Sequence, residues 1–368
     1  ICACLVGSEM CIRDSIYIDS SMIDYQKKRY VHAIEQYETI FCPDKVAIFS
    51  APGRSEVCGN HTDHQHGMVL ATSINLDTIA VSAKNNNDVV RFVSDGYDMI
   101  TLNINDLEVN DDEAGTTVSL IRGVLRGLKD HGYKIGGFNA YATSDVLVGA
   151  GLSSSAAFEV VVGTIISGLY NDMKINSVEI AQISQYAENV FFKKPCGLMD
   201  QMACSVGGMV NIDFKDPTKP IVKKVPTEFE KYDYSLCIVD TKGDHVDLTD
   251  DYAMIPSEMK KVANFLGEDY LRDCDSNEFY IRLDEIREAV GDRPVLRAIH
   301  FFNEEYNVKN AVSSLENGKF VEFLDAIRKS GNSSFKYLQN VYTTRDIQHQ
   351  NISVAPVSYT HLTLPTIA

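Results

Sequence analysis

The chain has 368 residues, enough for two domains, and its 45% hydrophobic and 23% charged residues are typical of globular proteins rather than disordered ones. Its formal net charge of -17 argues against nucleic acid as a partner, because a surface that follows a phosphate backbone needs a local excess of Lys and Arg. No run of about 18 apolar residues is present, so we expect no membrane span.

The cysteine pattern indicates free thiols. The nine cysteines form no CxxC pair, which argues against a zinc module or a disulfide framework. Cys42, Cys58, Cys204 and Cys237 lie within apolar stretches, as buried, reduced thiols of a cytoplasmic protein would. The first residues lack the basic segment of a signal peptide, and we therefore predict a cytoplasmic protein.

Both ends of the chain differ from the rest. Residues 1–15 and 356–368 resemble translated sequencing-adapter read-through, although ordinary disordered tails are the alternative. We expect both to be non-native and leave them out of the fold prediction. The remainder is predicted to form an N-terminal domain over 16–206 and a C-terminal domain over 207–355, with the boundary near the Gly207-Gly208 pair.

The elements predicted in chain order mix helices with strands. Helices are predicted over 23–41, 118–131, 155–170 and 175–192, and again from about 257 to 339. Strands are predicted over 46–50 (ending in a turn at 51–53), 68–83, 89–93 as the hairpin partner of 68–83, 138–148, 209–214 and 234–240. Because no regular βαβ repeat occurs, this order favours an α+β fold.

A glycine- and serine-rich segment precedes a helix that is apolar all round. This glycine loop (residues 149–155) consists of Gly149, Ala150, Gly151, Leu152, Ser153, Ser154 and Ser155. Glycines let a backbone approach a ligand closely, and the first turn of a helix offers unpaired N–H donors to an anion. A single serine there is usually only an N-cap, but three in succession favour a phosphate site. The segment is not a Walker-type loop.

A second polar segment follows the first predicted strand. It places Arg54, Asn60, His61, Thr62 and Asp63 within ten residues. A cation, an imidazole and a carboxylate suit a polyhydroxylated ligand, whose hydroxyls both donate and accept. His61, Asp63, His64 and His66 could instead bind a metal, as in a metallohydrolase, but no second His/Cys cluster appears.

Two acidic residues lie twelve positions apart further along the chain. Glu188 belongs to the run 185–189, and Asp200 to the run 194–201, which also contains Gly197. Taken alone, Asp200 would be read as a helix N-cap and Glu188 as a solvated helix residue.

Together these segments resemble the galactokinase family of the GHMP kinases. The glycine loop matches the G-x-G-L-S-S-S-A pattern of that superfamily, residues 51–64 match the galactokinase signature, and residues 194–201 match its C-G-I-M-D-Q stretch. Asn60 stands where the family usually has Glu. The resemblance covers about residues 16–355 and implies a two-domain fold with mixed sheets and an active site between the domains.

The resemblance also implies an ATP-dependent kinase that uses Mg²⁺ and phosphorylates the anomeric hydroxyl of galactose. It assigns catalysis to Asp200, as the base, and Arg54; Mg²⁺ binding to Ser155 and Glu188; and nucleotide binding to the whole glycine loop and Ser94. It assigns sugar binding to Asn60, His61, Thr62, Asp63, Gly197 and Tyr252, the last of which could equally be a half-buried packing residue.

Several alternatives stay open from the sequence. The substrate could be another hexose, such as N-acetylgalactosamine, or the protein could be a sugar sensor without turnover. The third family motif, a glycine-rich loop near the C-terminus, is absent, so we expect a truncated chain that binds poorly or is inactive. We expect a monomer whose partners are ATP and a sugar.

Overall fold

The computed structural model describes residues 17, 22–42, 45–147, 149, 151–227, 229–239, 241 and 249–360. The predicted tail 1–15 lies outside the described residues, as does 356–368 beyond residue 360. The chain divides into two compact units, Ile1–Ser55 with Ser73–Gly208, and Glu56–Thr72 with Met209–Ala368. The second unit therefore includes residues 56–72, which the contiguous division drawn from the sequence placed in the first domain.

Eleven α-helices are described. They are α1 (Ile23–Phe41), α2 (Thr117–Asp130), α3 (Ser154–Tyr170), α4 (Ser177–Tyr186), α5 (Met199–Val206), α6 (Thr249–Phe265), α7 (Ser276–Ile281), α8 (Leu283–Val290), α9 (Asp292–Glu316), α10 (Phe320–Ser333) and α11 (Asn351–Thr360). Short π-helical turns continue α4 at Ala187–Phe191 and α10 at Ser334–Leu338. The strands are β1 (Ala47–Cys58), β2 (Met68–Lys84), β3 (Val89–Ser94), β4 (Ile100–Asn103), β5 (Phe138–Ser144), β6 (Met209–Asp213) and β7 (Ile221–Lys224).

The first unit contains the strand order β4-β3-β5-β2. The C-terminal half of β2 pairs antiparallel with β5, whereas β3 pairs parallel with β5 and antiparallel with β4. This mixed sheet confirms the α+β prediction, but the predicted hairpin between 68–83 and 89–93 is wrong, because β5 lies between those strands. The Asn85 amide fixes the connection by donating to Val89 O at 2.8 Å and to Asn139 Oδ1 at 2.9 Å.

Helix α3 is central to the core of the first unit. Its residues from Ala156 to Ser167 are buried on nearly every side, with Phe158 only partly buried, as its apolar sequence predicts for an enclosed helix. Ile121 and Val124 of α2 and Ile180 of α4 belong to the same hydrophobic cluster. The N-terminus of α3, which follows the glycine loop, is therefore held in a fixed position by the packed helix behind it.

The second unit contains the strand order β2-β6-β7, in which Met68–Thr72 of β2 pairs antiparallel with β6. The polar loop (residues 59–67) connects β1 to β2. Val57 and Leu70, on either side of this loop, share a core cluster with Val308 of α9 and Phe323 of α10. This packing explains why residues 56–72 belong with the C-terminal helices.

Three local predictions are wrong. Strand β1 does not end at 51–53 but continues to Cys58, because it pairs with β2. The described part of the predicted strand 234–240, residues 234–239, is not a strand, and its Leu236 is 43% exposed rather than packed in a sheet. Cys58 and Cys204 are buried as predicted, whereas Cys42 and Cys237 are exposed.

Among the described helices, none combines the length and the hydropathy that a membrane-spanning segment needs.

Candidate active site

Strand β1 carries Arg54 to the glycine loop within the first unit. The Arg54 backbone N–H donates to Leu152 O at 3.2 Å, and its Nη1 donates to Gly151 O at 2.5 Å. A Cβ on Gly53 would lie 2.9 Å from Leu152 O, so only glycine permits this approach. The guanidinium is therefore fixed at the start of α3.

The glycine loop turns through left-handed backbone conformations. Gly149 and Gly151 have φ angles of 77° and 72°, and Ser153, immediately before α3, has φ 56°. Ala150 lies outside the described residues. Ser153 makes no side-chain cap to the helix; instead its hydroxyl donates to Oδ2 of Asp200. Ser154 is the first residue of the 17-residue helix α3, whose N-terminus favours an anion.

Asp200, in the first turn of α5, forms a bidentate ion pair with Arg54. Arg54 Nε and Nη2 donate to its two carboxylate oxygens, each at 2.8 Å. Burial raises the pKa of Asp200, but the Arg54 charge and the hydrogen bonds from Arg54 and Ser153 outweigh burial, so the pKa lies below its usual value. Asp200 is an ionised acceptor at neutral pH, and its side chain is 32% exposed.

Glu188 lies in the π-helical turn after α4 and is 2% exposed. Ser155 Oγ donates to its Oε1 at 3.1 Å, Lys194 Nζ donates to the same oxygen at 2.9 Å, and Gln201 Nε2 donates to its Oε2 at 2.7 Å. Ser155 and Glu188, 33 residues apart in sequence, are thus brought together at the beginning of α3, as the resemblance implies.

Sequence reasoning missed three members of this cluster. Glu159 is fully buried on α3, and Gln201 Nε2 donates to its Oε2 at 3.2 Å. Burial, reinforced by the Glu188 charge, raises the pKa of Glu159 well above its usual value. Burial, the largest single influence, lowers the pKa of Lys194, but the charge of Glu188, its hydrogen bond to Lys194 and the charge of Asp200 together outweigh burial and raise that pKa above its usual value. A usable signal existed for Glu159, since it is the one charge in an otherwise apolar helix.

The residues around Glu188 fit a Mg²⁺ ion. Mg²⁺ usually takes one or two protein oxygens and completes its shell with water and nucleotide phosphates. One hydroxyl and one buried carboxylate, 3.1 Å apart beside the N-terminus of a helix, supply that donor set. Lys194 also pairs with this carboxylate, at 2.9 Å, and so supplies a positive charge beside it.

In the second unit, the polar loop is held by its own hydrogen bonds. Thr62 is fully buried, and its Oγ lies 2.8 Å from Gly59 O and 2.7 Å from Met68 O. Asp63 Oδ1 accepts the His64 N–H at 2.9 Å. Asn60 is half-buried, and its Nδ2 lies 3.0 Å from Ser334 Oγ as donor. The Thr62 hydroxyl therefore hydrogen-bonds to backbone carbonyls at the two ends of the loop.

The loop histidines contact aromatic rings and one another. The His61 ring lies 4.7 Å from that of Tyr252, near the start of α6, and 5.6 Å from that of His64. The His66 ring stacks 3.6 Å from that of Tyr270. Within the described ranges no three His, Cys, Asp or Glu side chains converge as metal ligands, so the metallohydrolase interpretation gains no support.

The remaining predicted site residues are Ser94 and Gly197. Ser94 ends β3, where its carbonyl accepts the Tyr97 N–H at 2.9 Å. Gly197 is half-buried in the loop before α5, three residues from Asp200. Their contacts with a nucleotide and a sugar, respectively, stay predictions.

The segments that contain the glycine loop and the polar loop each match a known family model. Residues 119–208 match the family model "GHMP kinases N terminal domain", and residues 35–84 match "Galactokinase galactose-binding signature". The chain is 29% identical over 309 residues to a galactokinase of Streptomyces coelicolor, covering 82% of this chain and 77% of that protein. It is also 29% identical over 316 residues to a galactokinase of Limosilactobacillus reuteri, covering 83% and 79%.

Solved structures agree on the fold. The galactokinase of Lactococcus lactis, crystallised with galactose, superposes with a TM-score of 0.75 at 23% identity, covering 86% of this chain and 81% of that one. A phosphomevalonate kinase of Streptococcus pneumoniae superposes with a TM-score of 0.52 at 14% identity, covering 80% and 82%. The fold is thus that of the GHMP kinases, and over 82% of its length the chain is similar in sequence to a galactokinase.

Proposed function

We propose that this enzyme transfers the γ-phosphoryl group of ATP to the anomeric hydroxyl of galactose, yielding galactose 1-phosphate and ADP. The observation that carries this proposal is the Arg54–Asp200 pair at the glycine loop: an ionised carboxylate contacts both a guanidinium and Ser153, the residue preceding α3. A proton acceptor and a phosphate-binding helix terminus thus lie in direct contact.

Asp200 orients the sugar hydroxyl and accepts its proton. Arg54 keeps the carboxylate ionised, which weakens it as a base. Because phosphoryl transfer passes through a loose transition state, the proton moves late, and orientation matters more than basicity. Arg54 and the N–H groups at the start of α3 stabilise the charge that develops on the phosphoryl oxygens.

Ser155 and Glu188 are the residues that would hold Mg²⁺. When bound, the ion neutralises phosphate charge. Gln201 fixes the direction of the Glu188 carboxylate through its 2.7 Å hydrogen bond. Lys194, whose Nζ lies 2.9 Å from the same carboxylate, would add a second positive charge beside the phosphates.

On the sugar side we assign the contacts to Asn60, His61, Asp63, Gly197 and Tyr252, with Thr62 shaping the polar loop. Their mixed donors and acceptors match the hydroxyls of a hexose. We further propose that the protein acts in the cytoplasm as a monomer. An ADP-release assay over a panel of hexoses tests the substrate: galactose should be the fastest, and a preference for glucose or mannose would contradict it.

The Mg²⁺ assignment predicts a metal phenotype. Glu188→Gln and Ser155→Ala should each raise the Mg²⁺ concentration needed for half-maximal rate several-fold, because each removes an oxygen ligand. Titrating Mg²⁺ at saturating ATP measures this, with Glu179→Gln on α4 as a control outside the cluster. Unchanged titrations for both variants would place the metal elsewhere.

Asn60 predicts a change in selectivity. Asn60→Glu replaces the amide that faces Ser334 with a carboxylate that only accepts. The difference between a neutral and a charge-assisted hydrogen bond is on the order of 1 kcal/mol, enough to reorder related sugars without abolishing activity. Relative rates on galactose, its 2-substituted forms and its epimers should shift. The same order of rates in both proteins would show that this side chain does not contact the sugar.

A further inference from the structure

One face of helix α9 holds the backbone of the polar loop. His300 Nε2 lies 2.7 Å from Asn60 O, and its Nδ1 lies 2.9 Å from Ser333 Oγ on α10. One turn later, Glu304 Oε2 accepts the Gly59 N–H at 2.8 Å. The N–H of one loop residue and the carbonyl of the next are therefore fixed by two side chains of one helix.

The hydrogen-bond chemistry sets the state of the His300 ring. The Asn60 carbonyl can only accept, so Nε2 carries the proton and donates. Burial lowers the pKa of His300 despite the opposite pull of the Glu304 charge, so the ring is neutral near pH 7. Nδ1 is then an acceptor, and the Ser333 hydroxyl donates to it. Each partner has a defined role, and the ring is locked in one orientation.

Glu304 is equally constrained. It is fully buried, and besides Gly59 it accepts hydrogen bonds from Ser330 Oγ at 2.6 Å and Asn307 Nδ2 at 2.8 Å. A buried carboxylate needs such donors, and here they come from α9, α10 and the loop. Because Ser330 and Ser333 lie one turn apart on α10, both anchors rest on the packed pair of helices rather than on the loop itself.

We propose that His300 and Glu304 are positioning residues that hold the polar loop in its sugar-binding conformation. This inference rests on the proposed function, because the loop carries Asn60, His61 and Asp63. Neither side chain touches the sugar. They act through the backbone at Gly59 and Asn60, the residues that begin the loop, and therefore set the direction in which its following side chains point.

Galactose affinity, measured by isothermal titration calorimetry on the full chain, tests the proposal. His300→Phe keeps the ring volume but loses the donor, and should weaken galactose binding about tenfold, as expected for losing a buried hydrogen bond that orders a loop. His300→Gln, whose amide N–H can reach Asn60 O, should stay within about threefold of the parent. ATP affinity should be unchanged in both, since the proposed nucleotide residues belong to the first unit.

A matched control separates positioning from general stability. Val295→Ala, in the hydrophobic core on the N-terminal turn of α9, should lower the unfolding temperature without weakening galactose binding. Ser333→Ala leaves the core volume nearly intact and should weaken binding by about threefold, which keeps the test available if His300→Phe does not fold.

The outcomes are distinguishable. A parent protein that binds no galactose would refute the proposed function and this inference with it. A parent that binds galactose, with His300→Phe and Ser333→Ala binding equally well, would refute only the positioning role. Loss of affinity in Val295→Ala that follows its loss of stability would also refute it.

Discussion

Replacing Asp200 with asparagine is expected to lower turnover by about 10²–10⁴-fold, the contribution of a positioned general base, while galactose still binds. The amide cannot take the hydroxyl proton. It also presents an N–H group to the Arg54 guanidinium, which loses one of its two hydrogen bonds to the residue. Initial rates with ATP and galactose measure the loss of turnover, and calorimetric titration with galactose measures whether the sugar still binds.

The control for this variant is Asp130→Asn, which breaks an exposed ion pair with Arg126 on α2. Its rate should equal that of the parent, because exposed pairs contribute little to stability. An Asp200→Asn enzyme that turns over within a few-fold of the parent would remove Asp200 from the mechanism.

Arg54→Gln should have the second largest effect, in both rate and pH dependence. The rate should fall about 10²–10³-fold, because a donor to the developing phosphoryl charge is lost. The pKa of Asp200 should rise, since burial then acts without the opposing Arg54 charge. The acid limb of the rate profile should therefore move to higher pH.

The direction of the pH effect follows from the difference between the folded and unfolded pKa values of Asp200. In the parent, the folded pKa of Asp200 lies below its unfolded value of about 3.9. At pH values above the unfolded pKa, the Arg54–Asp200 ion pair therefore stabilises the folded protein. This stabilisation is lost as the pH falls through the lower pKa of the folded state. A pH–rate profile measures the shift, with Arg126→Gln as the control. Coincident acid limbs in the parent and Arg54→Gln would contradict the coupling.

The local part of the site is predictable from sequence. The glycine loop and the enclosed helix α3 follow from glycines, serines and an unbroken apolar run, all adjacent in the chain. The family resemblance predicts roles for Glu188 and Asp200, and the structure places Glu188 beside Ser155 and Asp200 beside Arg54.

The non-local part is not predictable in this way. A hairpin between neighbouring strands is the simplest reading of 68–93, and only the pairing of β5 with both β2 and β3 excludes it. His300 and Glu304 occupy buried positions of a long helix, where a sequence reading expects apolar packing. Their hydrogen-bond partners, Gly59 and Asn60, lie about 240 residues earlier in the chain, so no local sequence pattern could predict these hydrogen bonds.

The most direct test of the account is to follow galactose labelled with ¹³C at C1 during incubation of the protein with ATP and Mg²⁺. Transfer to the anomeric oxygen should produce a C1 signal split by ³¹P, at a rate that Asp200→Asn reduces to near the background. Phosphate released only into solution, phosphorylation at another hydroxyl, or an equal rate in the Asp200→Asn variant would contradict it.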